Sequence, residues 1–164
     1  MNPKLFKGYR LVACDGSGVN IAYNPNDKES YISNGSVKGY NQLHLNALYD
    51  LQGKIYLDIL MQPGKSENER GAFREMVRRY TGSPKTIFIA DRGYESYNDM
   101  AHVMEKGAFF LFRSKDIDSN GVLSGLKHKL PETEEFDCEI SIILTRKRTD
   151  EVVNHPEIYK GIYR

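Results

Sequence analysis

The sequence predicts an α/β fold built on a mixed sheet flanked by helices, and three observations carry that prediction. Short apolar runs at Leu11-Val12-Ala13-Cys14, Thr86-Ile87-Phe88-Ile89-Ala90 and Phe109-Phe110-Leu111-Phe112 read as strands. Helical stripes precede the second and third of these runs. Alternating stretches near residues 43–50 and 55–62 are joined by Leu51-Gln52-Gly53, a connection short enough for an antiparallel hairpin. The order is β-β-β-α-β-α-β, with hairpin-linked strands first and βαβ crossovers after.

Each element has a local justification. The first run reaches Asp15 and then Gly16-Ser17-Gly18, which reads as a strand ending in a turn. Asn24, Pro25, Asn26, Asp27, Asn34, Gly35 and Gly39 make residues 24–39 mostly loop. Ser66 and Glu69 stand in capping-box register ahead of the stripe Phe73, Met76, Val77 and Tyr80, and Gly82-Ser83-Pro84 stops that helix. The continuous run at residues 86–90 predicts a strand covered on both faces. Ser96 with Asp99 caps a second helix with stripe Tyr97, Met100, Ala101 and Met104, and Gly107 ends it. Residues 109–112 then read as another buried strand. From residue 116 the chain turns polar and Gly/Ser-rich, with Glu132, Glu134 and Glu135. Ile140, Ile142, Ile143 and Leu144 predict a further strand, and Val152-Val153 and residues 158–163 one or two more. No helix pattern follows residue 107. The division expected is a core over residues 1–115 and the start of a β-rich unit over 116–164.

Composition narrows the class without naming a function. The 164 residues include 23 basic and 22 acidic side chains, a net charge of +1 that announces no nucleic acid. No apolar run approaches the roughly 20 residues of a membrane helix. Met1-Asn2-Pro3-Lys4-Leu5-Phe6-Lys7 lacks the core of a signal peptide, so a cytoplasmic location is the default expectation. Cys14 and Cys138 fit neither a metal spacing nor a disulfide framework, and suit small apolar residues.

Asp15 and Asp91 each follow an apolar strand and are followed within two residues by glycine. Open α/β folds place their sites at such strand ends, where glycine allows close approach. If the two strands are neighbours, the carboxylates converge, and a hard cation relieves their repulsion. Mg²⁺ takes oxygen ligands at roughly 2.0–2.1 Å, with one or two carboxylates and several waters. Paired ions of this kind activate an attacking oxygen and neutralise a leaving one at a phosphodiester. Either Asp taken alone is more often a turn or cap residue.

The residues also carry a resemblance. Leu11-Val12-Ala13-Cys14-Asp15-Gly16-Ser17 resembles the first-aspartate motif of DDE-type insertion-sequence transposases, whose catalytic domain is ribonuclease-H-like. The stretch from Tyr40 through His44, Ala47 and Asp50 to Gly53 resembles their next hairpin. Ile89-Ala90-Asp91-Arg92-Gly93-Tyr94-Glu95-Ser96 is similar to their second-aspartate motif, and Phe110-Leu111-Phe112-Arg113-Ser114-Lys115 to the strand that follows. The match spans residues 8 to 115, and the segment after 116 resembles the β-rich insertion of the branch that works through DNA hairpins. What the resemblance implies is Mg²⁺- or Mn²⁺-dependent hydrolysis and strand transfer of DNA, with Asp15 and Asp91 as metal ligands. The family's third carboxylate, a Glu within Y-x₂-R-x₃-E-x₆-K, has no match, since no Tyr here has Arg three residues on. The expectation is therefore a fragment, weak in metal binding and inactive alone. The alternative is a non-catalytic remnant with at most weak DNA binding.

Other candidates weigh less. Arg92, Arg113 and Lys115 are placed to meet DNA phosphates, with surface salt bridges as the competing reading. Arg70, Arg74, Arg78 and Arg79 line a helix face that is more often just solvated. His44 and His102 read as structural, His128 and His155 as loop residues, and Asp50 and Asp58 as charges that discourage strand addition. Gly16-Ser17-Gly18 is no phosphate loop, which disfavours a nucleotide switch. Apolar surface left bare on the sheet is expected to favour a homodimer or aggregation.

Overall fold

The computed structural model describes residues 4–33, 35, 38–82, 85–133 and 135–162. Met1, Asn2, Pro3, Asn34, Ser83, Pro84, Glu134 and Tyr163, named above, lie outside the described residues. The strands are β1 (Arg10–Ile21), β2 (Tyr31–Ile32), β3 (Tyr40–Asp50), β4 (Ile55–Pro63), β5 (Thr86–Ala90), β6 (Phe109–Phe112), β7 (Ile143–Thr145) and β8 (Tyr159–Gly161). The helices are α1 (Glu69–Arg79), α2 (Tyr97–Glu105) and α3 (Asp150–Asn154). The main sheet runs β2-β3-β1-β5-β6, with β4 also paired to β3. β1 pairs antiparallel with β3 and parallel with β5, and β5 pairs parallel with β6. The mixed α/β sheet predicted from the sequence is the one found.

β1 departs from the sequence expectation. It does not turn at Gly16-Ser17-Gly18 but continues to Ile21, where Gly16, Ser17 and Gly18 pair with Asn46, Leu45 and His44. Glycine is tolerated in this strand because larger side chains occupy the space above it. A Cβ on Gly16 would collide with His44 Nε2 and lie 2.5 Å from Glu69 Oε1, and one on Gly18 would lie 2.7 Å from Gln42 Nε2.

Both α1 and α2 cover the same face of the sheet. Val12, Cys14, Leu48, Phe88 and Ala90 meet Phe73, Met76, Val77 and Val103 in one core. Phe73 is its hub, edge-on to Phe88, Tyr94 and Phe112 with ring centroids 6.1, 5.6 and 5.7 Å away. The cap of α1 is Asn68, whose side chain accepts the Gly71 amide at 2.9 Å, while Ser66 belongs to a preceding 3₁₀ turn. The Ser66–Glu69 capping box expected from the sequence does not form. Ser96 caps α2 as expected, and Gly107 takes φ +68° at its end.

The opposite face carries no helix among the described residues. β5 is therefore covered on one face: Thr86, Phe88 and Ala90 are buried, Ile87 and Ile89 half-buried. β6 is an edge strand with Phe109 and Leu111 exposed, not the buried strand expected. Ile59 and Met61 of β4 are exposed as well.

Part of the later segment lies beside α2. Tyr97, Met100 and Met104 face Val122, Leu126, Ile140 and Leu144 across a hollow. The α2 stripe thus serves this later segment, and Val103 enters the main core. β7 and β8 form a two-stranded parallel ribbon, but Val152 and Val153 lie in the short helix α3, not in a strand. The acidic pair Asp150-Glu151 and the cap Thr149 favour that helical turn over the β propensity of two valines. Among the described residues no helix is long and apolar enough to cross a membrane.

Asp50 and Asp58 are ion-pair partners within the fold rather than edge charges. Asp50, at the end of β3, is buried and accepts from Arg10 Nε at 2.8 Å and from the Gln52 and Gly53 amides. Asp58 holds Arg79 in a two-pronged pair. Burial pushes the Asp50 carboxyl up, but the Gly53 amide, Arg10 and the Gln52 amide outweigh it and hold it below its ordinary value. A carboxyl lowered in the native state stabilises above its unfolded pKa of about 4, and that contribution disappears as pH falls through the folded value. Asp50→Ala is expected to cost about 2–4 kcal/mol at neutral pH in urea unfolding. The deficit should shrink in acid; a deficit that stays constant with pH would contradict the assignment.

Candidate metal centre

β1 and β5 run together only from Arg10↔Thr86 to Cys14↔Ala90. Asp15 and Asp91 are the next residue on each, one position beyond the last residues that lie side by side at the roughly 4.8 Å spacing of paired strands. Beyond this point β1 continues along β3 alone, while the chain after β5 bends into a 3₁₀ turn at Arg92–Tyr94. A fork opens in the sheet there. Both aspartates are exposed. Asp15 lies on the helix-free face, since Val12 and Cys14 face the core, and borders a hollow with Ala13, Leu45, Ala47, Tyr49 and Tyr56. Its Oδ1 accepts the Gly16 amide at 2.9 Å. Asp91 Oδ1 is 3.6 Å from Arg113 Nη1.

The first turn of α1 reaches both aspartate segments. Arg70 donates from Nε to the Gly93 carbonyl at 2.8 Å and from Nη2 to the Glu95 carbonyl at 3.4 Å. Glu69 sits above Gly16 and, more loosely, Gly93, whose Cβ would be 3.9 Å from its Oε2. His44 is buried on β3 between two acids, with Nδ1 3.1 Å from Glu67 and Nε2 3.0 Å from Glu69. The expectation that His44 is structural fits this bracket. Tyr94 of the turn inserts into the core beside Cys14, and burial pushes the Cys14 thiol up to about 12, making it inert.

The basic candidates separate into two groups. Arg70, Arg74, Arg78 and Arg79 are engaged within the fold. Arg74 donates to buried Asp99 at 2.6 Å, Arg78 pairs with Glu75, and Arg79 with Asp58. Burial outweighs Arg74 at Asp99 and raises that carboxyl above its ordinary value. Arg92 and Arg113 instead are exposed beside Asp91, with Lys115 half-buried two residues past Arg113. Sequence reasoning gave Glu69 only a capping role and Glu95 only a place in the second-aspartate motif, because the partners they meet, His44 and the Lys115 and Val122 amides, lie far along the chain and no local pattern signals them.

The donors here are two exposed carboxylates with hard oxygens, and among the described residues no three His, Cys, Asp or Glu side chains group closely enough to hold a metal. Such a pair fits a hard divalent cation that keeps most of its waters, and not a four-ligand structural site.

A mixed sheet with crossover helices and two aspartates at the fork of its central strands defines a ribonuclease-H-like α/β domain. The family model for the transposase DDE domain matches residues 6–161, and the chain belongs to that family. The match runs through residues 116–161, past the motifs that carried the resemblance. No curated protein matches the chain.

Gly16→Ala is expected to displace His44 and Glu69 and to cost about 1–3 kcal/mol in urea unfolding. An unchanged midpoint would show that the space above Gly16 is not filled as described.

Proposed function

We propose that this chain carries two of the three carboxylates of a DNA-cleaving and strand-transferring site, with Asp15 and Asp91 as the ligands of Mg²⁺ or Mn²⁺. The observation that supports this reading best is the β1–β5 register, which ends one residue before each aspartate. The cation supplies Lewis acidity at a phosphodiester. Asp15 and Asp91 hold it, and Arg92, Arg113 and Lys115 take neighbouring DNA phosphates, fixing the backbone without reading sequence. Residues 116–164 begin the β-rich insertion.

Turnover needs a third carboxylate, and the Y-x₂-R-x₃-E-x₆-K spacing is missing from these 164 residues. These residues by themselves therefore bind the cation weakly and leave DNA uncut, because the reacting groups are not held in productive geometry. The parent activity is metal-dependent phosphodiester hydrolysis and strand transfer.

Titration with Mn²⁺, followed by its electron paramagnetic resonance signal, tests the pair. Binding should fall at least tenfold in both Asp15→Ala and Asp91→Ala, the loss expected of removing one ligand (about 1.4 kcal/mol or more). Unchanged affinity in either variant defeats the shared site.

A further inference from the structure

Glu95 lies in the second-aspartate turn, and its carboxylate reaches the chain that follows β6. It is buried, and a buried carboxylate is costly unless its oxygens are hydrogen-bonded. Both are. Oε2 accepts the Lys115 amide at 2.9 Å and Oε1 accepts the Val122 amide. Gly121 packs directly on the carboxylate and on Lys115, so that a Cβ there would lie 2.9 Å from each oxygen and 2.8 Å from Lys115 Cβ. Capping of α2 does not require this arrangement, since Ser96 already performs it.

The backbone of Glu95 is fixed from the other side. Its amide donates to the Arg92 carbonyl at 3.3 Å, and its own carbonyl accepts from Arg70. The chain leaving β6 is held to the same turn, because the Arg113 amide donates to the Ala90 carbonyl at 3.1 Å. Arg113 and Lys115 therefore sit between two anchors, one at Ala90 and one at the Glu95 carboxylate. The Arg113 guanidinium beside Asp91 remains 70% exposed and faces solvent where a phosphate would approach.

We propose that Glu95 is a positioning residue that ties the 115–122 loop to the second-aspartate turn and so presents Arg113 beside Asp91, with Lys115 two residues on, to DNA phosphates. The inference rests on the DNA-processing reading above. A basic pair held in place before binding avoids the cost of ordering its side chains and backbone on the ligand. Glu95 itself touches no DNA in this scheme.

The test uses the full 164-residue chain, a short fluorescent DNA duplex and fluorescence anisotropy at low salt, with Mn²⁺ titration and amide hydrogen exchange alongside. Glu95→Ala should weaken duplex binding roughly tenfold, the scale of two side chains losing their order. The Arg113→Ala/Lys115→Ala double variant should lose as much, and adding Glu95→Ala to it should lose nothing more, since all three act as one unit. Gly121→Ala keeps the carboxylate but crowds both it and the Lys115 Cβ, so it should give the same loss and speed exchange at Lys115 and Val122. It also decides the matter if Glu95→Ala fails to fold. Mn²⁺ affinity should stay unchanged in Glu95→Ala and Gly121→Ala; the double variant is no control for the metal site, because Arg113 pairs with Asp91.

Duplex binding that survives both Glu95→Ala and Gly121→Ala, or losses that add to those of the double variant, overturns the proposal while leaving the metal reading intact. An unaltered chain that binds no duplex overturns both the DNA reading and this inference.

Discussion

Strand β1 is shared by two neighbours of different length, and the site depends on that mismatch. It follows β3 from Val12 to Ile21 but follows β5 only as far as Cys14. Where β5 ends, the far edge of β1 loses its partner and a cleft opens between parallel strand ends, the position at which open α/β sheets bind ligands. Register is strict here because strand side chains alternate with period two. A slip of one residue would turn Asp15 into the core and bring Cys14 out.

Aromatic packing fixes that register from the helix side. Phe73 of α1 touches Phe88 on β5, Tyr94 in the turn after it and Phe112 on β6, so one side chain anchors three consecutive elements around Asp91. Edge-to-face contacts of this kind add directional preference to burial. Arg70, one helical turn before Phe73, holds the Gly93 and Glu95 carbonyls. The turn that carries Asp91 is therefore clamped by α1 through both its side chain in the core and its backbone at the surface.

Much of this was legible in the residues. The hairpin of β3 and β4, the run of β5, the Ser96 cap, the Gly107 stop and Asp91 at the end of β5 are local patterns, and each has a local physical cause; Asp15 lies mid-strand in β1 rather than at a strand end. The failures share a different origin. Gly16-Ser17-Gly18 resembles a turn until His44, Gln42 and Glu69 are seen to fill the space above it, which depends on residues distant in the chain. β6 resembles a buried strand because its four residues are apolar, but its place at the sheet edge is decided by topology. The α2 stripe is legible as apolar, but its partner is not, since residues 122–144 have no pattern that announces them as its cover. Glu95 was invisible because its partners are backbone amides, which every residue but proline has.

The central claim is that Asp15 and Asp91 share one cation at the fork of β1 and β5. Its most direct test is a crystal of this chain soaked in Mn²⁺ and measured at a wavelength where manganese scatters anomalously. The account predicts a peak with oxygens of both aspartates on the order of 2 Å away. A peak on one aspartate alone, or ordered manganese only elsewhere on the surface, contradicts it.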